Sequence, residues 1–193
     1  MEGAKVSLRP VQPSDAERAF GLLHGRRAIL RWLLWRGPES VEDLEISFGC
    51  WEAPPTSVPD YLFAIVDQET GLFSGTMGLR FYGDSGGADI GYWLSEPLWG
   101  RGLGSEAIQL SCHFAFRHLG IPSVTAWAFV GNEASRKALG RSGFSLMRTV
   151  LQKTESDGQC YDQWQFVLLR EEWLVQHGAW QPRAEEIRFA EQA

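Results

Sequence analysis

Apolar and polar residues alternate in short runs along this chain, and glycine, proline and asparagine punctuate them. Such runs read as strands. Val6–Pro10 is the first, with Val6 and Leu8 set against Ser7 and Arg9. Tyr61–Val66 and Leu72–Tyr82 flank a Gln68–Gly71 turn and form a hairpin. Asp89–Leu94 and Ser123–Phe129 follow. Phe144–Lys153 and Tyr161–Leu169 enclose Ser156-Asp157-Gly158, a turn signal.

A 3.6-residue period marks the helices. Ser14 with Glu17 fits a capping box opening a helix to about His24. Arg26–Trp35, with an Ile29, Leu30, Trp32 and Leu33 stripe, predicts a second helix, and Ser40–Trp51 a third. Glu52–Pro59 is a proline-rich loop, and Gly83–Gly87 a glycine-rich connection. A long helix is predicted from Gly102 to about Leu119, with Leu103, Ala107, Leu110 and Phe114 on one face. Gly120 and Pro122 mark its stop. Asn132 caps a helix to Arg141, and Glu171–His177 is a last candidate. The order β-α-α-α-β-β-β-α-β-α-β-β predicts an α/β chain around one mixed sheet.

The length, 193 residues, suits one domain with its own core. A net charge of −6 argues against broad nucleic-acid binding. Cys50, Cys112 and Cys160 form no CxxC pair, so neither a disulfide framework nor a zinc site is expected. His24, His113, His118 and His177 show no pairing or metal spacing and read as structural or exposed, so no metal is expected. The N-terminus is not a signal peptide, and no apolar run reaches the length of a membrane span. A cytoplasmic protein is expected. Nine tryptophans stand out; most suit core packing, and a few could line a cleft.

The chemistry gathers between Ile90 and Ala107. A strand ends, a loop with Gly100, Gly102 and Gly104 turns, and a long helix begins. Glycines let a ligand approach the backbone, and the first helical amides sit at a positive dipole end. Such a turn suits a pyrophosphate. Gly104-Ser105-Glu106 lacks the Gly-Lys-Ser/Thr of a P-loop. A dinucleotide fingerprint fails as well, because its third glycine falls on Ser105 or Ala107. Coenzyme A is the remaining class.

Trp99 to Ala107 resembles motif A of the GNAT acetyltransferase superfamily, Gln/Arg-x-x-Gly-x-Gly/Ala, with Trp99 in the Gln/Arg place. One branch, the ribosomal-protein-alanine N-acetyltransferases, has that tryptophan in a Trp-Gly-Lys/Arg-Gly-x-Ala/Gly-Thr/Ser-Glu-Ala loop. Leu8-Arg9-Pro10 with Asp15, Ile90–Leu94, Asn132–Ser135 with Gly143-Phe144, and Asp157-Gly158 with Tyr161-Asp162 resemble further signatures of this branch. The resemblance implies a single-domain fold over residues 1–180, with a charged, loosely held tail over 181–193. Its mixed, mostly antiparallel twisted sheet is flanked by helices, and the fourth and fifth strands splay apart. It also implies acetyl-CoA as cosubstrate, without a metal. Tyr92, Trp93 and Leu94 would hold the pantetheine arm. Trp99, Gly100, Arg101, Gly102, Leu103, Gly104 and Ser105 would hold the pyrophosphate. Arg101 reads equally as a solvated loop arginine. Asn132 reads as a helix cap, a cofactor contact, or both. Ser135 is the candidate acid for the departing thiolate, or else a helix-surface serine.

Direct transfer needs a neutral amine. Deprotonation at pH 7 costs roughly 1 kcal/mol for an α-amine and about 4–5 for a lysine. Asp89 is the first candidate base, with Glu155 and Glu96 behind it. Trp32, Trp35 and Trp51 are candidate acceptor walls. The leading acceptor is a protein N-terminal α-amine, and the alternatives are a small amine (antibiotic, polyamine or amino acid) or a non-catalytic acyl-CoA sensor. A monomer or homodimer is expected from the resemblance.

Overall fold

The computed structural model describes residues 1–51, 60–82, 86–155, 160–177 and 179–185, without the side chains of 152–155 and 160. The strands are β1 (Val6–Pro10), β2 (Tyr61–Asp67), β3 (Leu72–Phe81), β4 (Ala88–Leu94), β5 (Ser123–Phe129), β6 (Ser145–Glu155) and β7 (Cys160–Leu169). The helices are α1 (Ala16–Leu23), α2 (Arg27–Leu30), α3 (Val41–Gly49), α4 (Leu103–His113), α5 (Glu133–Arg141) and α6 (Arg170–His177). The strands form one mixed sheet in the order β1-β2-β3-β4-β5-β7-β6. Every neighbouring pair is antiparallel except β4 and β5.

Period-two alternation sends successive side chains to opposite faces. Phe63 and Ile65 of β2 join Leu8, Met77, Ile90, Leu110, Phe116 and Trp173 in one core beneath α4 and α6. Ala64 and Trp93 join Ala19, Leu23, Leu44, Phe48 and Phe73 in a second core beneath α1, α2 and α3. In β4 the same alternation puts Ile90 and Leu94 in the first core and Trp93 in the second. Each fully buried large apolar side chain contributes about 1.5–3 kcal/mol, so two-sided burial holds the central strands in register.

Several local expectations are corrected. Ser14 does not cap α1. A 3-10 turn, Pro13–Asp15, precedes the helix; Asp15 stands at the N-cap position of α1 without a side-chain cap bond, and its carboxylate caps the 3-10 turn instead. The Asp15 carboxylate accepts from the Gln12 amide at 2.9 Å and from both Arg9 guanidinium nitrogens at 2.7 and 2.6 Å. A charged group only 6% exposed needs such a bidentate partner. The second helix shrinks to Arg27–Leu30, because residues 31–35 close in turns. Ser40 does cap α3, accepting from the Asp43 amide at 3.0 Å. The long helix keeps its α form to His113 and widens into a π-helical turn, Phe114–His118. There the Leu119 amide reaches back five residues to the Phe114 carbonyl at 3.2 Å. The turn read at Ser156-Asp157-Gly158 and the whole Glu52–Pro59 loop lie outside the described residues.

The first residues of the tail are paired with the N-terminal segment, and residues 186–193 lie outside those described. Glu2 and Ala184 form an antiparallel bridge, and the Arg183 amide donates to Glu2 O at 2.6 Å. Edge-strand backbone groups have this pairing capacity free, which composition alone does not reveal.

Glu106, one turn into α4, ties the two ends of this arrangement together. Its carboxylate accepts from the backbone amides of Ala4, Lys5 and Val6 at 2.9, 2.6 and 2.8 Å. Removing it leaves three amides to find water, and Val6 is fully buried. Hydrogen bonds to a charged group are each worth about 1.5–3 kcal/mol, less where water can replace them. Glu106→Ala is therefore expected to destabilise by about 2 kcal/mol, or about 4–8 °C in Tm, measured by thermal unfolding. An unchanged Tm would remove this role.

Candidate active site

β4 and β5 pair through Ala88–Val124, Asp89–Thr125 and Ile90–Ala126, and no further. Beyond Ile90 the strands part. The Ser95 amide donates to Ser74 O on β3 at 2.8 Å. Strand alternation then turns the backbone groups of Trp93 and Gly91 toward β3, and those of Leu94 and Tyr92 into the gap. The gap opens a cavity of about 500 Å³, lined by Tyr92, Leu94, Ala126, Ala128 and residues of the α4 and α5 first turns.

At one end of this cavity lies the glycine loop. Gly100 and Gly102 have φ of +76° and +86°, a backbone that side chains with a Cβ rarely adopt. Gly102 is the N-cap of α4, with no side-chain cap. The amides of Leu103, Gly104 and Ser105 consequently have no acceptor within the helix. Gly100, Gly102, Gly104 and Ser105 line the cavity. Trp99 also lines it, and its indole N–H donates to Leu94 O at 2.7 Å. The tryptophan standing in the Gln/Arg place thus pins the loop to the end of β4. One loop side chain is engaged elsewhere. Arg101 pairs with Glu69, and its carbonyl accepts from Lys5 Nζ at 2.7 Å. The Leu103 side chain is buried in the core. Lys137 and Arg141 of α5, which sequence reading passed over, do line the cavity. Their i, i+4 spacing puts both on one helical face, a signal that was available.

Across the cavity, Asn132 caps α5, its Oδ1 accepting from the Ser135 amide at 3.1 Å. The Ser135 hydroxyl meets the Tyr92 hydroxyl at 3.1 Å.

A second cavity, about 990 Å³, lies on the α1–α3 side and shares Gly91, Tyr92, Trp93, Trp32 and Trp127 with the first. Trp32, Trp35 and Trp51 all line it, as the sequence reading anticipated for a few tryptophans. Arg31 stacks its guanidinium 4.4 Å over the Trp32 ring. Asp89 lines the same cavity beside the last paired residues of β4. Burial pushes its carboxyl up from 3.8 to about 6, against the opposing pull of the Thr125 and Tyr82 hydroxyls and Arg80. Thr125 donates to Asp89 Oδ1 at 3.1 Å. Glu96 is exposed and lines neither cavity. The Glu155 backbone pairs with Cys160, and its side chain lies outside those described.

The histidines are not all unpaired. The π turn carries His118 onto the side of His113, ring centroids 5.5 Å apart, and Glu185 approaches His113 Nε2 at 3.4 Å and His118 Nε2 at 4.0 Å. Their donor atoms lie within 4.8 Å of one another. A metal on His113 Nε2 would leave Nδ1–H without an acceptor inside aromatic packing, whereas ligating imidazoles hold their second nitrogen to one. Burial lowers the His113 pKa, so the group reads as a neutral imidazole against a carboxylate. Among the described residues, no helix is long and apolar enough to cross a membrane.

Known proteins match this geometry. The family model for the acetyltransferase (GNAT) domain matches residues 5–145. The putative ribosomal N-acetyltransferase YdaF of Bacillus subtilis is 27% identical over 179 residues, covering 87% of this chain and 93% of that one. RimJ of Mycobacterium smegmatis, solved with CoA-disulfide, superposes with a TM-score of 0.79 at 22% identity, over 90% of this chain and 89% of that one. Spermidine N-acetyltransferase of Vibrio cholerae, solved with CoA and spermine, does so with 0.77 at 16% identity, over 89% and 99%. The two structural likenesses concern the fold. Together with the splayed strands and the glycine loop, the family match identifies this chain as a member of the GNAT acetyltransferase family and an N-acetyltransferase.

Proposed function

We propose that this enzyme transfers acetyl from acetyl-CoA to a primary α-amine, foremost that of a protein N-terminus. The observation that carries the reading is the meeting of two cavities at Gly91, with Asp89 on the acceptor side and the glycine loop on the other. The pyrophosphate takes the free amides of Gly104, Ser105 and Leu103, and Lys137 and Arg141 add charge. Arg101 and Leu103 contribute backbone only. Asn132 borders the arm. The pantetheine arm pairs with the backbone groups of Tyr92 and the amide of Leu94, as an added strand would. That course brings the thioester toward Gly91, within reach of Asp89. Ser135 offers its hydroxyl to the departing sulfur.

Proton affinities favour an α-amine. Transfer from an α-ammonium of about 8 to a carboxylate of about 6 is uphill by roughly 2.5 kcal/mol, and from an alkylammonium of about 10.4 by roughly 6. The base suits the first much better. The bacterial relative named as a ribosomal N-acetyltransferase points the same way. A second reading, a compact amine with an aromatic or aliphatic body, draws on the indoles around the larger cavity. Thiol release from acetyl-CoA with peptides bearing free N-termini, set against spermidine and aromatic amines, separates the two. Turnover confined to small amines overturns the N-terminal reading.

Two outcomes are expected once an acceptor is in hand. For wild type, kcat/KM rises with pH through about 6 as Asp89 ionises and does not fall near 8, where the attacking free amine becomes the major form. Asp89→Asn loses the limb at 6, drops at least about 10²-fold at pH 7, and follows the free-amine fraction upward. A surviving limb at 6 excludes Asp89. The paired substitution Lys137→Ala and Arg141→Ala is expected to weaken acetyl-CoA about tenfold by calorimetry. Added salt should shrink that difference, with Tm unchanged. Equal affinity in both proteins removes these cations from the site.

A further inference from the structure

The Tyr92 and Ser135 hydroxyls are 43 residues apart in sequence and 3.1 Å apart in space. Both residues line the cavity where the β4–β5 gap meets the first turn of α5. The tyrosine ring lies along the glycine loop, where a Cβ built at Gly104 would come 3.7 Å from Tyr92 Cε2. The serine is fixed from its own side, by the Asn132 cap on its amide. The pair is therefore rigidly mounted, one hydroxyl on a strand and the other at a helix N-terminus.

The direction of the hydrogen bond follows from acidity. A phenol gives up its hydrogen to a bond more readily than an alkyl alcohol does, so Tyr92 donates and Ser135 accepts. Burial raises the Tyr92 pKa above its ordinary 10, which keeps that hydrogen in place. A serine hydroxyl has one hydrogen and two lone pairs. With a lone pair engaged by Tyr92, the serine hydrogen is free to turn into the cavity, and linked hydrogen bonds polarise one another.

We infer that Tyr92 is a positioning residue whose hydroxyl holds the Ser135 O–H aimed at the sulfur of the departing CoA. The inference rests on the acetyl-transfer reading above. In that step the amine nitrogen bonds the acetyl carbon, the carbon–sulfur bond breaks, and its electron pair stays on sulfur. The α-ammonium gives one proton to Asp89, which passes it to solvent, and the proton that nitrogen loses as the amide forms follows the same way. A thiol is a stronger acid than either hydroxyl, so both hydroxyl hydrogens stay on oxygen. The thiolate leaves as a hydrogen-bond acceptor from Ser135, with the positive end of α5 behind it, and takes its proton from solvent.

Tyr92→Phe removes one oxygen and keeps the ring. It is expected to lower kcat roughly tenfold, with KM for acetyl-CoA within about twofold and Tm within a few degrees. Ser135→Ala should lower kcat at least as much. In the Ser135→Ala background, Tyr92→Phe should then have no further effect, because the residue acts only through that hydroxyl. Equal losses from Tyr92→Phe in both backgrounds, or wild-type kcat in the single variant, overturns the inference and leaves acetyl transfer standing. Wild-type protein that acetylates no amine overturns the acetyl-transfer reading itself.

Discussion

Among the described residues, three of β4 and three of β5 make the only parallel pairing in the sheet, and the halves on either side of it are joined there. Everything the site contains follows from where that pairing ends. On the side away from β3, the backbone groups of β4 past Ile90 have no strand beside them, and buried polar backbone is rarely left without a partner. The vacancy in the ladder is thus a linear array of donors and acceptors at the spacing of a strand. A ligand with its own amides fits such an array. The parting also joins the two faces of the sheet, so groups on opposite sides of one strand can act on one bond.

Asp89 has a cost that its position explains. With its pKa raised from 3.8 to about 6, the ionised carboxylate is of order 3 kcal/mol less favourable in the folded chain than in the unfolded one at pH 7. The sign is the reverse of a salt-bridged acid: the penalty fades as pH falls through 6 and the group takes a proton. A carboxylate kept for stability alone would be solvated or paired, as Asp15 is with Arg9. The half-buried Asp89 and the buried Asp15 therefore differ in kind, and their neighbours distinguish them.

Most of the strands were legible because period-two alternation survives in sequence, and the glycine loop was legible because positive φ demands glycine at 100 and 102. Other features were not, for identifiable reasons. The cap at Asp15 depends on Arg9, which reaches it from another element. Glu106 reads as part of the glycine-loop motif, yet its carboxylate serves β1, about 100 residues away. Lys137 and Arg141 look like an ordinary solvated helix face until the gap is seen to open beneath them. Tyr92 sits in a strand expected to supply backbone contacts, and only tertiary packing brings its hydroxyl to Ser135. Local periodicity records which face a residue takes. It carries nothing about which distant side chain meets it.

The sheet ends at β6, whose outer edge carries exposed Leu146, Met147 and Leu151. A long, flat apolar edge would invite another chain to add itself as an eighth strand. The pairing of β6 with β7 shifts register twice, between Leu146 and Arg148 and between Val150 and Thr154. Each irregularity bends the strand and breaks the even spacing that a docking strand must match. The apolar residues on this edge consequently sit on a poor template for an added strand.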